Sequence, residues 1–377
     1  MKKKLSSIIL CAVICTATFA QTEKEHRSGF QFSLIYPLST NGINAAKYTN
    51  GISINAMGGI SKNEKAFTLG GLTNIILQDA SGVQIAGLYN QINNNGQGLL
   101  LSGVASYTGH DYTGLQLAGL INISGNMKGI TLGGVTNIAL QDVSGIRIAG
   151  LYNHINNNGQ GFLFSGVASY TGHDYTGLQL AGLTNIAGNI RGMQIASLIN
   201  IAGDVKGVQI AGLLNVADNS DYPLGLVNLI KNGEKSIAVT YGEIGSIAVS
   251  FRSGGRVTYG IIGYGYNPNG RKNAYLTEAG LGAHIHLAPR FRLNNEIRTE
   301  AHHSSGNTTF KTGYYLLAAY KIAPHTEVFA GPGINHMYSD DMSDTGIFPG
   351  HSLWKKREAE KWQQVFVGYQ LGVQYVF

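Results

Sequence analysis

The sequence predicts an all-β protein built from two regions, a stack of short repeated strands and then an antiparallel β-barrel. A short phrase returns every 15 or 16 residues through the middle of the chain, and longer alternating strands follow Ser236. No stretch combines the 3.6-residue period of a helix with helix-capping residues. We therefore expect a β-solenoid-like repeat region followed by an antiparallel transmembrane β-barrel of about eight strands, with one large β-barrel that includes the repeats as the alternative.

The first segment, residues 1–20, has the composition of a cleaved secretory signal peptide. Three lysines at positions 2–4 precede a mostly apolar run from Leu5 to Cys15, and Thr18 and Ala20 supply small residues at the cleavage positions. The run is shorter than the about 20 residues that a membrane-spanning helix needs. Because Cys11 and Cys15 are the only cysteines, we expect a mature chain without disulfides, thiol nucleophiles or cysteine metal ligands.

The charge balance argues against nucleic acid as a partner. Without the three lysines of the signal segment, 24 of the 27 basic residues remain against 21 acidic ones, a formal charge near +3. The remaining chain has no basic run of the roughly five to eight residues that nucleic-acid-binding patches carry. A secreted chain with little charge and abundant Gly, Tyr and Asn is most simply all-β.

Residues 21–65 are predicted to hold two or three N-terminal strands. Phe30, Phe32 and Leu34 alternate with other residues on one face, and turn-forming residues follow at 39–42. The alternation resumes in the same phase at Ile52 and Ile54.

Residues 66–230 form the predicted repeat region. Its phrase, roughly G-x-Q-(I/L)-A-G-L-x-N, is clearest between Gly177 and Asn215. The segment 102–120 recurs letter for letter at 165–183, a shift of 63 residues that marks a duplicated block of four units. Ser106 and Ser169 replace the closing asparagine in two units. The closing asparagines, which we interpret as structural repeat positions, are Asn74, Asn90, Asn122, Asn137, Asn153, Asn185, Asn200, Asn215 and Asn228.

Two architectures fit this period. In a β-solenoid each unit is one coil, identical positions stack, and the recurring asparagine forms a ladder of side-chain amides. In a membrane meander each unit is one strand that runs opposite to the next, which would place the same asparagine at alternate ends of a barrel. That conflict, and the lack of aromatic residues between 195 and 216, favour the solenoid. Each unit is expected to hold one short strand, such as Val208 to Leu213, and a polar turn. Within one unit, one face carries Val208, Ile210, Leu214 and Val216, and the other carries Gln209, Ala211 and Asn215.

Residues 231–377 are predicted to form the barrel. The last strand, from Gln363 to Phe377, alternates apolar residues with Gln and Gly, which is the apolar-out, polar-in pattern of a transmembrane strand. A second strand, 290–300, has Phe291, Leu293 and Ile297 on the outward face. Its inward face carries Arg292, Asn294, Glu296, Arg298 and Glu300.

The connections in this region alternate in length. Those at 253–255, 288–289 and 323–324 are tight, whereas 266–273, 302–307 and 338–361 are predicted as long polar loops, as in an outer-membrane barrel. A closed barrel of about eight strands fills its own lumen with side chains. We therefore interpret the inward charges and Lys311 as a salt-bridge network that plugs the barrel, with the lining of a conducting lumen as the alternative.

The closing strand VFVGYQLGVQYVF, with its terminal phenylalanine, resembles the assembly signal of Gram-negative outer-membrane β-barrels. The opening FSLIYPLSTNG, the repeats GLQLAGLTN and GVQIAGLLN, and the junction YPLGLVNLIKNG look like the surface-repeat-containing outer-membrane proteins. The resemblance covers nearly the whole mature chain and implies a location at the cell surface, but no reaction and no catalytic residues. The residues it assigns to the membrane strand and assembly signal are Tyr369, Leu371, Val373, Tyr375 and Phe377.

Two groups of side chains are candidates for chemistry, and we interpret both as structural. The pairs His110-Asp111 and His173-Asp174 would make metal ligands if stacked in a row, but they fit a polar turn copied by duplication. Tyrosines near the unit ends would make a carbohydrate-binding stripe, but they fit the cover of an apolar edge. These tyrosines are Tyr89, Tyr107, Tyr152 and Tyr170.

A third group lies near a predicted loop base, where outer-membrane hydrolases carry catalytic groups. It comprises His302, His303 and Ser304, preceded by Glu296 and Glu300. A nucleophile, a base and an orienting group must converge in space, and adjacency in sequence does not show that. We therefore interpret this group as an exposed polar loop.

We thus expect no enzyme, and no catalytic, cofactor-binding or metal-binding residue and no cofactor. The favoured function is a structural or binding role for a surface-associated repeat protein in the outer membrane. A channel that uses the repeats as barrel strands is the second hypothesis, and an envelope hydrolase is the third. The expected partners are outer-membrane lipid, the barrel-assembly machinery, and a surface ligand or another envelope protein.

Overall fold

The computed structural model describes residues 26–269, 275–304, 307–340, 347–358 and 361–377. The predicted signal peptide lies outside these residues. Within them the chain forms a parallel β-solenoid followed by a closed antiparallel barrel of eight strands, so the predicted fold class is confirmed. The alternative of one large barrel that includes the repeats is wrong, because the repeats pair in parallel with one another and not with the barrel strands. Among the described residues, no helix has the length and apolar character to cross a membrane.

The solenoid contains 26 strands. The first half comprises β1 (His26–Ile35), β2 (Leu38–Ser39), β3 (Tyr48–Asn55), β4 (Gly58–Ser61), β5 (Asn63–Gly70), β6 (Thr73–Ile76), β7 (Ala80–Ala86), β8 (Tyr89–Ile92), β9 (Gly96–Ser102), β10 (Ala105–Thr108), β11 (Tyr112–Ala118), β12 (Ile121–Ser124) and β13 (Met127–Gly133). The second half comprises β14 (Thr136–Ala139), β15 (Val143–Ala149), β16 (Tyr152–Ile155), β17 (Gly159–Ser165), β18 (Ala168–Thr171), β19 (Tyr175–Ala181), β20 (Thr184–Ile186), β21 (Ile190–Ala196), β22 (Ile199–Ile201), β23 (Asp204–Ala211), β24 (Leu214–Ala217), β25 (Asn219–Leu224) and β26 (Val227–Ile230).

Each repeat unit is one coil that holds two strands. The sequence suggested a single strand over Val208 to Leu213, and this was wrong: β23 ends at Ala211, the chain turns at 212–213, and β24 follows. The turn needs a small residue, because a side chain on Gly212 would collide with the main-chain oxygen of Ser197 in the coil before it. Gly207, within β23, has a φ of 133°, a conformation that glycine adopts without strain.

The coils stack into two sheets that face each other. The longer strands of each coil form a 14-stranded sheet and the shorter ones a 12-stranded sheet, each in parallel register with the equivalent residue one coil away. Residues 21–65 were predicted to hold two or three N-terminal strands. The described part, residues 26–65, holds β1 to β4 and the start of β5. Of these, β1, β3, β4 and β5 are the first coils of the same two sheets, and the antiparallel β2 and a 3-10 helix (Gly42–Lys47) lie at this end.

The solenoid interior is divided along the coil. Next to the polar turn, which follows each short strand, the core is apolar, with buried residues such as Ile92, Tyr112 and Val205. Next to the Gly-Leu turn, which follows each long strand, the core is made of buried amides such as Asn137 and Gln194. The outward positions on both strands of a coil are Val208, Ile210, Leu214 and Val216, as the alternation predicted.

The barrel strands are β27 (Lys235–Gly242), β28 (Ile247–Gly254), β29 (Thr258–Tyr266), β30 (Tyr275–Ala288), β31 (Phe291–Ser304), β32 (Asn307–Ala323), β33 (Thr326–Ser339), β34 (Trp354–Glu358) and β35 (Lys361–Val376). The barrel closes where β27 pairs with the second half of β35, and β34 extends the wall beside the first half of β35. Connections 255–257, 289–290 and 324–325 are short and share one end. The long loop predicted at 302–307 was wrong, because β31 continues to Ser304 and β32 begins at Asn307.

Alternation along the barrel strands matches the expected pattern. On β35, Tyr369, Leu371, Val373 and Tyr375 are exposed on the outer face, and Phe377 follows at the strand end. The alternate residues, such as Gln370 and Gln374, are buried inside. On β31 the inward set from Arg292 to Glu300 is buried in the same way.

The last coil packs against the outer wall of the barrel. The main-chain N–H of Asn228 donates a hydrogen bond to Ser253 Oγ at 2.9 Å, and the Asn228 amide donates to the Ser253 main-chain oxygen at 3.1 Å. Thr258 Oγ1 donates to the Pro223 oxygen at 2.8 Å. Ser253 and Gly260 occupy outward positions on β28 and β29, yet both are buried. The solenoid therefore projects outward from the side wall of the barrel at these two strands.

Candidate functional site

The barrel lumen holds a buried network of ion pairs at mid-height. Glu296, on β31, accepts hydrogen bonds from Arg298 Nε at 2.7 Å and from Tyr259 Oη at 2.6 Å. It also lies 3.2 Å from Arg252. Arg298 also reaches Glu278 at 3.4 Å. All five side chains are buried. A charge in such surroundings is stable only when it is paired, so each member depends on the others.

Two further clusters lie toward the ends of the lumen. At one end, Lys311 lies 3.0 Å from Glu300 and 3.4 Å from Glu243, and His302 Nε2 lies 3.0 Å from the same Glu300. These groups fill the end of the barrel away from the solenoid.

At the short-turn end, Arg292 donates to Glu234 at 2.8 and 2.7 Å and to Glu327 at 2.6 Å. Burial opposes the ionisation of Glu234, but the hydrogen bonds and charge of Arg292 outweigh it and hold the pKa of Glu234 below its usual range. Glu234 lies just before β27, at the point where the chain passes from the solenoid into the barrel.

Apolar residues complete the filling of the lumen. Tyr315, Leu317 and Phe329 form a buried cluster between the charged groups, and Arg252 lies 4.4 Å from the centre of the Phe329 ring. At the end away from the solenoid, Ile347 packs against Phe366 in another buried cluster. The described residues thus fill the barrel with side chains, which is the geometry expected of eight strands.

The recurring asparagines form a ladder through the solenoid. Asn137 accepts a hydrogen bond from Asn122 at 2.9 Å and donates to Asn153 at 3.0 Å and to the main-chain oxygen of Ile148 at 2.7 Å. The other direct links join Asn74 to Asn90, Asn185 to Asn200, Asn200 to Asn215, and Asn215 to Asn228.

The two serine substitutions change the ladder locally. Asn90 donates to Ser102 Oγ at 2.9 Å, and Ser102 lies 2.9 Å from Ser106 Oγ. Ser165 and Ser169 repeat this arrangement beside Asn153. At its other end the ladder reaches the barrel through the bonds of Asn228 to Ser253 described above.

A second ladder, which the sequence analysis missed, follows the polar turns. Asn126 shows its chemistry: the side chain donates to Asp111 Oδ1 at 2.7 Å, and its own oxygen accepts the main-chain N–H of Asp142 at 2.9 Å. The same bonds recur along the whole edge. This Asn–Asp row consists of Asn63, Asp79, Asn95, Asp111, Asn126, Asp142, Asn158, Asp174, Asn189, Asp204 and Asn219. The strict alternation of Asn and Asp at one position per unit was the signal in the sequence.

The candidate metal ligands do not come together. Asp111 and Asp174 are both members of the Asn–Asp row, four coils apart, which is about 19 Å at the usual strand spacing. His110 and His173 occupy the turn positions beside them and are just as far apart. Within the described ranges, no group of three or more His, Cys, Asp or Glu side chains is placed to hold a metal ion.

The candidate hydrolase residues point to different sides of β31. His302 faces the lumen, beside Glu300, whereas His303 faces outward and stacks on Tyr275 with ring centres 4.8 Å apart. Ser304 ends the strand, and its side chain lies outside the described part of the chain. The described side chains of this group therefore do not converge on a common point.

The four tyrosines do not form a continuous stripe. They lie on the outer face of the short-strand sheet as two pairs, four coils apart, and apolar residues such as Ile123 and Ile138 occupy the coils between. In the second pair, Tyr152 Oη lies 3.0 Å from His154 Nδ1, and the His154 ring stacks on Tyr170.

Within the repeat region, residues 66–230, one charged side chain lies inside the solenoid. Arg147 is fully buried in a column that holds Thr131 in the coil before and Leu163 in the coil after. Its Nε and Nη1 atoms have no hydrogen-bond partner among the described residues. Equivalent positions elsewhere in the column carry Gln116 and Gln179.

Comparison with other proteins adds little to this geometry. No protein-family model and no curated protein matches the chain. Among solved structures, it is similar to one titled "De novo design of transmembrane beta-barrels", with 14% identity and a TM-score of 0.23 over 38% of this chain and 93% of that one. A TM-score of this size is too low to assign a fold, so the architecture rests on the strand pairings described above.

Proposed function

We propose that this chain is an outer-membrane protein in which a closed, non-conducting barrel anchors the solenoid, and that the solenoid has a structural or binding role. The observation that carries the proposal is the filled barrel: ion pairs inside, as around Glu296, and apolar residues outside, as on β35. A strand that is apolar outside and polar inside is typical of a membrane barrel.

The barrel also has the dimensions of a membrane anchor. Among the eight strands that close the barrel, the shortest, β27 to β29, have 8 or 9 residues, close to the about 9–11 that cross the hydrocarbon. Aromatic side chains such as Phe291, Tyr320 and Tyr375 are exposed on the outer face at the short-turn end, where a membrane barrel carries an aromatic girdle.

The resemblance of the repeats and closing strand to surface-repeat-containing outer-membrane proteins agrees with this proposal, and membership of that class stays a prediction. We place the solenoid on a different side of the membrane from the one that this resemblance implies. Short turns are periplasmic in bacterial barrels, and the solenoid joins the wall at the short-turn end. This favours attachment at the periplasmic side over display at the cell surface.

Conductance measurement tests the proposal. The purified chain is reconstituted into phosphatidylcholine bilayers, and insertion is verified by resistance to alkaline extraction. We expect no discrete conductance steps, because the lumen is filled along its length. Steps of uniform size in samples that resist extraction would contradict the closed barrel, and complete extraction at alkaline pH would contradict the membrane location.

A further inference from the structure

The part of the long-strand sheet next to the Gly-Leu turns has an apolar outer surface along its whole length, whereas the outward column next to the polar turns carries polar and charged residues such as Gln97, Lys128 and Arg191. Two columns of outward residues run from β1 to β25, and all 26 members are apolar or aromatic. The first column contains Phe30, Ile52, Phe67, Val83, Leu99, Leu115, Ile130, Ile146, Phe162, Leu178, Met193, Val208 and Tyr222. The second contains Phe32, Ile54, Leu69, Ile85, Leu101, Leu117, Leu132, Ile148, Phe164, Leu180, Ile195, Ile210 and Leu224.

The Gly-Leu turns add a third apolar column, which we call the leucine edge. Its members are Leu34, Met57, Leu72, Leu88, Val104, Leu120, Val135, Leu151, Val167, Leu183, Leu198, Leu213 and Leu226. Most are well exposed, as Leu151 is at 50%. The two columns and the leucine edge together form an apolar strip. Because it crosses thirteen parallel strands about 4.8 Å apart, the strip is roughly 58 Å long and 16 Å wide, on the order of 900 Å². The largest apolar patch on a typical soluble monomer is about 300–600 Å².

Charge is confined to the opposite edge. Eleven residues between 66 and 228 are charged, and ten of them belong to the Asn–Asp row or lie within two positions of one of its members. The exception is the buried Arg147. The solenoid is therefore amphipathic across its width: one edge is apolar and the other is charged and hydrogen-bonded.

The interior has the reverse polarity. Behind the leucine edge lie the buried amides of the asparagine ladder, and behind the Asn–Asp row lies the apolar core around Ile92 and Tyr112. Water surrounding the leucine edge would favour the opposite arrangement. Hydrocarbon around the leucine edge favours the observed arrangement, because polar groups at that depth must hydrogen-bond to each other inside the protein while apolar groups face outward.

The junction with the barrel sets the height of the two edges. The Gly-Leu turn of the last coil, at Gly225 and Leu226, touches Gly260, within the wall of β29. The polar turns of that coil, at Asn219 and Asn232, line a cleft with Gly255 and Arg256 in the short turn at the barrel end. The leucine edge thus sits beside the barrel wall, and the Asn–Asp row sits level with the barrel's rim.

We propose that the solenoid lies in the membrane leaflet on the short-turn side of the barrel, with the leucine edge in the hydrocarbon and the Asn–Asp row at the water interface. This rests on the proposed function, since it takes the barrel to span the membrane. The apolar strip of about 16 Å matches one leaflet of a hydrocarbon core about 30 Å thick. Its lipid-facing surface continues the outer surface of the barrel at β28 and β29.

Single cysteines test this placement. Leu151 and Asn156 flank the short strand β16, the first on the leucine edge and the second, also exposed, at the polar edge. They form a matched pair about 16 Å apart in one coil. Val249, 52% exposed on β28, reports insertion of the barrel itself. Each cysteine is introduced in a Cys11→Ala, Cys15→Ala background and labelled with an environment-sensitive fluorophore in phosphatidylcholine vesicles with brominated acyl chains.

We expect brominated lipid to quench the label at Leu151→Cys and Val249→Cys at least severalfold more than at Asn156→Cys, and a water-soluble maleimide to react fastest with the last. Leu120→Cys, also on the leucine edge, repeats the test in another coil. If Val249→Cys is quenched while Leu151→Cys reacts like Asn156→Cys, the barrel is inserted and the solenoid placement is overturned. If Val249→Cys is unquenched, the proposed function fails as well. Protection of Leu151→Cys from both reagents means that another protein surface covers the edge, which also overturns the lipid placement.

Discussion

The solenoid and the barrel both have polar interiors, but they use different chemistry. The solenoid core next to its Gly-Leu turns is filled with neutral amides such as Asn137, whereas the barrel core is filled with ions such as Glu296 and Arg298. The difference follows from strand direction. Parallel coils place identical positions next to each other about 4.8 Å apart, so a repeated charge would meet itself. An amide both donates and accepts and can therefore pair with its own copy.

Antiparallel barrel strands place unlike residues side by side. Glu300 on β31 pairs in register with Lys311 on β32, so opposite charges meet without any repeat in the sequence. The Asn–Asp row obeys the same rule as the amide ladder: carboxylates occur, but only at every second coil, with an asparagine donor between them. Register thus determines which kind of polar interior each region can hold.

The largest effect is expected from breaking the ionic interior. Glu296→Ala leaves Arg252 and Arg298 without their shared carboxylate, and removal of one partner from a buried pair costs about 3–5 kcal/mol. We expect the barrel to lose its compact, heat-modifiable migration at a clearly lower temperature, while the solenoid is cut by protease no faster than before. Thr299→Ala, at an outward position three residues further along β31, is the matched control. An unchanged transition would show that the ion pairs do not support the barrel.

Breaking the amide interior should have the next largest effect, in the other region. Asn137→Ala removes the donor to Asn153 and to the Ile148 oxygen and leaves buried polar groups unpaired, at about 1–3 kcal/mol. Limited proteolysis should then cut the coils around residue 137 while the barrel transition stays unchanged. Asn156→Ala, at an exposed position on the next coil, controls for the loss of an amide as such. Equal protease sensitivity of the two variants would argue against the ladder.

A smaller gain is expected where the solenoid departs from its own rule. Arg147→Gln replaces a buried side chain with unpaired Nε and Nη1 atoms by the residue found at equivalent positions 116 and 179. We expect stabilisation of the solenoid by about 1 kcal/mol, seen as slower proteolysis of its coils. Lys128→Gln, which removes a charge from an exposed position, should change little. A less stable Arg147→Gln chain would show that the guanidinium has a role that the contacts do not reveal.

The smallest effect is expected from disturbing the Asn–Asp row. Asn126→Asp places three carboxylates on successive coils, and like charges about 4–5 Å apart in water repel by about 1 kcal/mol. Salt should screen the loss, so the difference from wild type should shrink between low and high ionic strength. Asp142→Asn, which removes a charge at the next position, should show no such salt dependence. If salt changes the stability of the two variants equally, electrostatic repulsion is not the reason for the alternation of Asn and Asp.

Much of the fold could be predicted from the sequence, because equivalent residues of successive repeat units stack in register in the structure. Alternation in the sequence correctly predicted which residues face outward on a coil, namely Val208, Ile210, Leu214 and Val216. It also predicted which residues of β31 face inward. The division of a unit into two strands could not, because the turn at Gly212 looks like part of one alternating run. The ion pairs were only half predictable: Arg298 was expected to face inward, but its proximity to Glu278 depends on how β30 and β31 align.

Alternation in the Asn–Asp row also constrains how such a chain can lengthen. The duplicated block of 63 residues spans four coils, so copying it restores Asn beside Asp at both seams. A copy of three or five coils would put two aspartates or two asparagines in adjacent turns, and the seam would lose either a donor or an acceptor. Tandem duplication of an even number of coils therefore keeps the Asn–Asp alternation intact. The protein can be extended by about 10 Å at a time without a change in its cap or in its junction with the barrel.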